Sequence, residues 1–209
     1  MLGAGVVGQC AVASAKRQGA SRVLVVDDHA DRLAVARAQN AEPIDFGVED
    51  PVAAVCELTG GIGVDRVIEA VGVDAQRPHS GPAAAELPVD TGTFEAERGA
   101  AAPEGNTGDG QWLVGDAPSL ALRWAVNVVA KAGSIGIVGV YPPDFDAFPI
   151  GAVTNRNLTV QGGNCNHRRY VPGLLGRIAR RRSGPHPVHH PARRAGGGHR
   201  CLPAVRPAP

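Results

Sequence analysis

Apolar residues along the chain gather in short β-branched runs, and the stretches between them repeat with a helical period. SRVLVVDD (21–28) and VDRVIEAVG (64–72) have the near-continuous hydrophobicity of parallel strands buried on both faces. EPIDF (42–46), GSIGIVGV (133–140) and RNLTVQGG (156–163) predict further strands. Helices are predicted over VVGQCAVASAKRQ (6–18), which Gly19 stops, and over ADRLAVARAQN (30–40), where Leu33, Ala34 and Ala38 share a face. DPVAAVCELTGG (50–61) opens on an N-cap, Asp50, with Pro51 at the first helical position. PSLALRWAVNVVAKAG (118–133) sets Leu120, Trp124 and Val128 on one side, and RRYVPGLLGRIARR (168–181) starts as another helix. This alternation predicts an α/β fold, a doubly wound parallel sheet with strands in the order 3-2-1-4-5-6.

Two stretches break the pattern. Residues 73–117 are rich in Gly, Pro, Ala and acids without a sustained period, and are expected to form a loop-like, largely mobile insertion. From about residue 180 to 209 the chain is Arg, Pro, His and Gly with little to bury, which predicts a disordered tail. The expected organisation is one folded domain over 1–179, interrupted at 73–117, followed by the tail 180–209.

A length of 209 residues, 44% of them hydrophobic, suits one domain of ordinary size with appendages. No apolar run reaches the roughly 18 residues of a membrane helix, and the start lacks a secretory pattern. Cys10, Cys56, Cys165 and Cys201 form no Cys-x-x-Cys pair, which argues against a disulfide framework or zinc knuckle and for a reducing, cytoplasmic setting. The net charge of +1 hides a split. All 20 acids lie in residues 1–146, whereas residues 147–209 hold 11 Arg and no acid. A reading-frame slip near Ala179–Arg182 is the expected origin of that acid-free run.

Gly3-Ala4-Gly5-Val6-Val7-Gly8 brings in chemistry. Gly3 allows a tight turn, Gly5 lets the backbone approach a pyrophosphate, and Gly8 lets the helix pack close on the strand. The amides opening the helix at Val6 and Val7 then face the phosphates, aided by the helix dipole. Asp27 follows Gly8 by 19 residues, at the end of RVLVV, where an acid holds ribose hydroxyls. Arg32 is placed to lie over the adenine ribose. Asp27 and Asp28 together favour NAD over NADP, because a 2′-phosphate would meet negative charge. The fold class is therefore a Rossmann-type domain; a glycine-rich turn in an unrelated α/β domain is the alternative. The turn lies almost at Met1, so the first strand is expected to be truncated.

The GAGVVG turn, the VVD strand end, ELTGGIGVDRVIEAVG and GSIGIVGVYPPDFDAFPIGAVTNRNLTVQGGNCNHRRYVPGLL together resemble the medium-chain, zinc-type alcohol dehydrogenases, with the glutathione-independent formaldehyde dehydrogenase-like branch nearest. That branch also carries a long insertion after the strand matching VDRVIEAVG. The resemblance covers about residues 2–178 outside 73–117. It implies that Ala70 and Val71 lie against the cofactor's ribose, that Val138, Gly139 and Val140 offer backbone to the nicotinamide carboxamide, and that Gly163, Asn164 and Cys165 form a second strip along the nicotinamide.

The family's catalytic zinc is held by a separate domain preceding the nucleotide fold, and no pattern of zinc ligands is legible here. His29 and His79 are isolated, His167 follows the nicotinamide strip, and His186, His189, His190 and His199 lie in the tail without fixed geometry. No catalytic residue is nominated. The expected function is the NAD-binding half of an alcohol or aldehyde dehydrogenase, lacking its zinc-bearing domain and inactive alone. The alternative is a non-catalytic NAD(H)-binding module working with a separate catalytic chain. Arg-rich character in the tail attracts phosphate, but without interleaved aromatics it predicts no specific nucleic-acid partner. Pairing of two copies through the edge strand RNLTVQGG is the expected route to a homo-oligomer, and no membrane partner is expected.

Overall fold

The computed structural model of the chain describes residues 1–103, 105 and 113–179. Val6–Arg17 (α1), Leu24–Asp27 (β1), Ala30–Ala38 (α2), Glu42–Asp45 (β2), Pro51–Leu58 (α3) and Val64–Glu69 (β3) form the first half. Pro82–Ala85 (α4), Thr91–Ala101 (α5), Leu120–Val128 (α6), Val129–Ile137 (β4), Ile150–Asn155 (α7), Thr159–Gly162 (β5) and His167–Ala179 (α8) follow. Among the described residues no helix is long and apolar enough to cross a membrane. The tail 180–209 and its expected disorder lie outside the described residues.

All strand pairs are parallel. β1 pairs with β2, and β3, β4 and β5 pair in that order. The two groups meet at Leu2, which bridges Val26 on one side and Glu69 on the other. Leu2 N–H donates to Ile68 O, Ala70 N–H to Leu2 O, Gly3 N–H to Val26 O and Val26 N–H to Met1 O, at 2.9 to 3.0 Å. The order β2-β1-Leu2-β3-β4-β5 is the 3-2-1-4-5-6 arrangement, its first strand present as one bridging residue. The Met1 amine, buried, donates to Leu24 O at 2.8 Å, and burial pushes its pKa down to about 5.

The alternation of β1 explains its hydrophobicity on both faces. Val23 and Val25 point to one side, into a cluster with Ala4, Val12, Ala36 and Ala41 from around α1 and α2. Leu24 and Val26 point to the other, into the main core with Ile44, Val55, Val67, Ile135 and Trp124. Each such side chain contributes roughly 1.5–3 kcal/mol on burial. Asp50 caps α3 as expected, accepting from Ala53 N–H at 2.6 Å with Pro51 at the first position.

Three expectations require correction. Segment 73–117 is not simply loop-like: it carries α4 and α5, and Phe94 is wholly buried in the main core. Asp90 caps α5 by accepting from Thr93 N–H, and buried Phe94 and Ala101 together with the Glu97–Arg123 pair at 3.0 Å dock it. The helix expected over 118–133 ends at Val128. There Arg156 donates to the carbonyls of Val126 and Val129, and Ala132 at φ 59 lies in a bulge within β4, between Val129 and Ser134. On α2 the buried positions are Leu33 and Ala36, while Ala34 and Ala38 are exposed.

Candidate functional site

The strand register aligns the candidate site. Ile44, Val26, Leu2, Glu69, Ile137 and Gly162 form one continuous row of partners across the sheet. The residues that follow them include Asp27, Gly3, Ala70, Val138 and Gly163, each where its strand leaves the sheet. Five positions taken from separate parts of the sequence therefore share the carboxyl edge of the sheet, the place where doubly wound folds bind ligands.

At the centre of that edge, the three glycines of the turn have different surroundings. Gly3 has φ +84, and a Cβ there would stand 2.8 Å from Val71 Cγ2 and 3.2 Å from Ala70 O. A Cβ on Gly8 would stand 2.0 Å from Gly3 O, so helix and turn touch backbone to backbone. A Cβ on Gly5 would meet nothing within 4 Å among the described residues. The fold itself requires Gly3 and Gly8, whereas Gly5 leaves room beside the backbone for something else. α1 begins directly after Gly5 with no side-chain cap bond and no acid in its first turn, and Val6 and Val7 are half-exposed. Its first amides thus suit an anion.

Asp27 is buried, and its carboxylate is fixed by backbone. Oδ2 accepts from Ala4 N–H at 2.7 Å, while Oδ1 accepts from Asp28 and His29 N–H at 3.0 Å each. Arg32 Nη1 lies 3.7 Å from Oδ2, and His29 Nδ1 3.3 Å from Oδ1. A carboxylate has about four acceptor positions, so Oδ2 keeps capacity for a hydroxyl donor. Gly3, Asp27, Asp28, Arg32 and Val71 line one cleft, with Leu2, Val26, Phe46 and Trp124 as its apolar wall. Phe46 and Trp124 pack with centroids 5.4 Å apart. Gln9 ties this region together by donating to Ala4 O and Arg32 O.

The other expected positions lie further along the same edge. Val138 and Val140 are about half-exposed, and Gly163, Asn164 and Cys165 are exposed beyond β5. Beneath them is a residue that the sequence reading did not select. Glu69 is wholly buried, and its Oε1 accepts from Val71 and Gly72 N–H at 2.6 and 2.7 Å. Burial pushes its carboxyl above the usual range, and the Gly72 and Val71 amides draw it part of the way back. An acid inside the apolar run VDRVIEAVG was its only sequence signal.

Among the described residues, Asp27, Asp28 and His29 form a group of potential metal donors, all within 4.8 Å of one another. They do not suit a tetrahedral zinc. Two carboxylates and one imidazole come from consecutive residues, no thiolate takes part, and Asp27 already accepts three amides. The geometry of the edge fits a dinucleotide better, with an open phosphate turn beside a fixed acid.

Comparison with known proteins agrees with that geometry. The family model described as "Zinc-binding dehydrogenase" matches residues 6–80. A probable alcohol dehydrogenase of Mycobacterium tuberculosis is 30% identical over 199 residues, which is 90% of this chain and 48% of the relative. A glutathione-independent formaldehyde dehydrogenase of Pseudomonas aeruginosa is 32% identical over 142 residues, 68% of this chain and 28% of that protein. Among solved structures, alcohol dehydrogenase TADH from Thermus sp. ATN1 matches with a TM-score of 0.59 and 26% identity, over 87% of this chain and 40% of that one. The chain spans about half or less of the length of these relatives.

Proposed function

We infer that this chain, by these likenesses a relative of the zinc-binding, medium-chain alcohol dehydrogenases, is the NAD-binding half of such an enzyme. The observation that carries the reading is the row of strand ends that brings the glycine turn and Asp27 to one edge with Ala70, Val138 and Gly163. When bound, NAD supplies the capacity to accept or donate a hydride. The amides around Gly5, Val6 and Val7 hold its pyrophosphate, and Asp27 Oδ2 accepts from a ribose hydroxyl. Arg32 flanks the adenine ribose. Ala70 and Val71, Val138 to Val140, and Gly163 to Cys165 supply backbone along the nicotinamide half.

The reaction of the whole enzyme is hydride transfer between an alcohol or aldehyde and NAD. The described residues carry no donor set suited to the zinc, so this chain alone is expected to bind the dinucleotide without turning over an alcohol. The long segment after β3 and the likeness to a formaldehyde dehydrogenase support placing it in that branch. The exposed residues of β5, at the sheet edge, support pairing between copies.

The test is a titration of the purified chain with NADH and with NADPH, followed by nicotinamide fluorescence. Saturable NADH binding is expected, with NADPH at least about tenfold weaker because its 2′-phosphate meets Asp27 and Asp28. A chain that melts cooperatively but binds neither would overturn the reading.

A further inference from the structure

Glu69 lies at the end of β3, in the register row that defines the edge, and none of the roles above uses its carboxyl. Four backbone amides converge on this residue. Its Oε1 accepts from Val71 and Gly72, and its main-chain carbonyl accepts from Val138 and Gly139 at 2.8 and 3.1 Å. Val73 N–H then donates to Val140 O at 3.0 Å, closing a lattice between the segment after β3 and the segment after β4. The approach is close. Gly72 has φ +74, a Cβ on it would stand 2.5 Å from Val140 N, and a Cβ on Gly139 would stand 2.4 Å from Glu69 Oε2. Oε2 and the Tyr141 hydroxyl are both buried, and the two side chains interact with each other.

We propose that Glu69 is a positioning residue, which holds the strips Ala70–Val71 and Val138–Val140 in the conformation that receives the nicotinamide end of the dinucleotide. This rests on the NAD-binding reading above. Val138 and Val140 are half-exposed, so little packing from outside orders their segment. Its order comes from beneath, through the Glu69 carbonyl and the carboxyl that fixes the neighbouring turn. A strand end needing only burial would be served by an apolar residue, since a carboxyl in this position must be desolvated. What an apolar residue cannot do is accept two amides at once from a turn that has left the sheet. Rigid before the ligand arrives, the strips need not be ordered by it.

The test uses Glu69→Val, which keeps a strand-compatible side chain but removes both carboxyl contacts, and Glu69→Gln, which keeps Oε1 as acceptor. Each is titrated with NADH and with ADP-ribose, which lacks the nicotinamide. If loss of the anchor leaves the ordered strips populated about a tenth of the time, Glu69→Val weakens NADH about tenfold. ADP-ribose then stays within about twofold of the unaltered chain, and Glu69→Gln returns NADH to within about threefold. Equal losses for both ligands, or none for either, would overturn the proposal. Failure of the unaltered chain to bind either ligand is a different result and overturns the NAD reading itself. Amide hydrogen exchange on the unaltered, ligand-free chain supplies a readout that does not depend on either variant folding. The amides of Val71, Gly72, Val138 and Gly139 should exchange at least about 100-fold more slowly than unprotected amides, and unprotected rates there would refute the proposal.

Discussion

Substituting alanine at Gly5 and, separately, at Gly8 should divide the glycine turn into a part that serves the ligand and a part that serves the fold. At Gly5 the backbone has φ −65 and ψ −172, which alanine adopts readily, and its Cβ meets nothing within 4 Å. Replacing an N-cap glycine by alanine costs a few tenths to about 1 kcal/mol, while the stiffer unfolded chain returns about 0.4–1 kcal/mol. The net change is near zero, which for a chain of this length is a shift in melting temperature within about 3 °C. The new methyl nevertheless occupies the open space beside the Val6 and Val7 amides, through which a pyrophosphate would approach on the proposed reading. Loss of one charge-assisted hydrogen bond, about 1.5–3 kcal/mol, weakens NADH at least about tenfold. At Gly8 the Cβ would stand 2.0 Å from Gly3 O, and backbone must move. That places Gly8→Ala near the top of the overpacking range, about 3 kcal/mol, or roughly 6–12 °C for a chain of this length. Thermal melts and NADH titrations on both variants test the division. A Gly5→Ala chain that binds NADH normally, or that melts many degrees lower, would refute it.

Three further outcomes follow from particular side chains. Phe94→Ala should cost about 3–5 kcal/mol in urea unfolding, because the ring is wholly buried in the main core; a cost below about 0.5 kcal/mol would mean that α5 does not dock. Asp27→Asn should destabilise the chain by about 1–3 kcal/mol, because an NH2 group must face an amide donor of Ala4 or of Asp28 and His29. It should also weaken NADH and narrow the preference over NADPH, and unchanged titrations would refute that role. Burial raises the folded carboxyl of Glu69, so its contribution is fully present below the unfolded value of about 4.3 and is lost as pH rises. Glu69→Gln should therefore gain stability relative to the unaltered chain as pH rises above about 4.3, and a pH-independent difference in urea midpoints would contradict this.

Much of the fold was legible because the strands carry their environment in their sequence. Val23 to Val26 alternate between two buried clusters, so an unbroken apolar run was the right signature of a strand covered on both faces. The glycine turn and Asp27 were legible through spacing. Phe94 was not, because its helix has one deeply buried aromatic and no hydrophobic period. The end of α6 was missed because NVVA suits a helix or a strand equally, and what stops the helix is Arg156, 28 residues beyond Val128. Glu69 escaped for a related reason. An acid in an apolar run has no periodic signature, and its value depends on the turns at 71–72 and 138–139 meeting above it, which only the assembled sheet shows.

On the proposed reading, one edge of the sheet, from Asp27 through Gly3 to Gly163, receives a dinucleotide. Amide chemical shifts of the isotope-labelled chain, followed during titration with NAD, test it most directly. Saturable shifts are expected, concentrated at Gly3 to Gly8, Asp27, Ala70 to Gly72, Val138 to Val140 and Gly163 to Cys165. Saturable shifts centred elsewhere, or none at these positions in a folded chain, would contradict it.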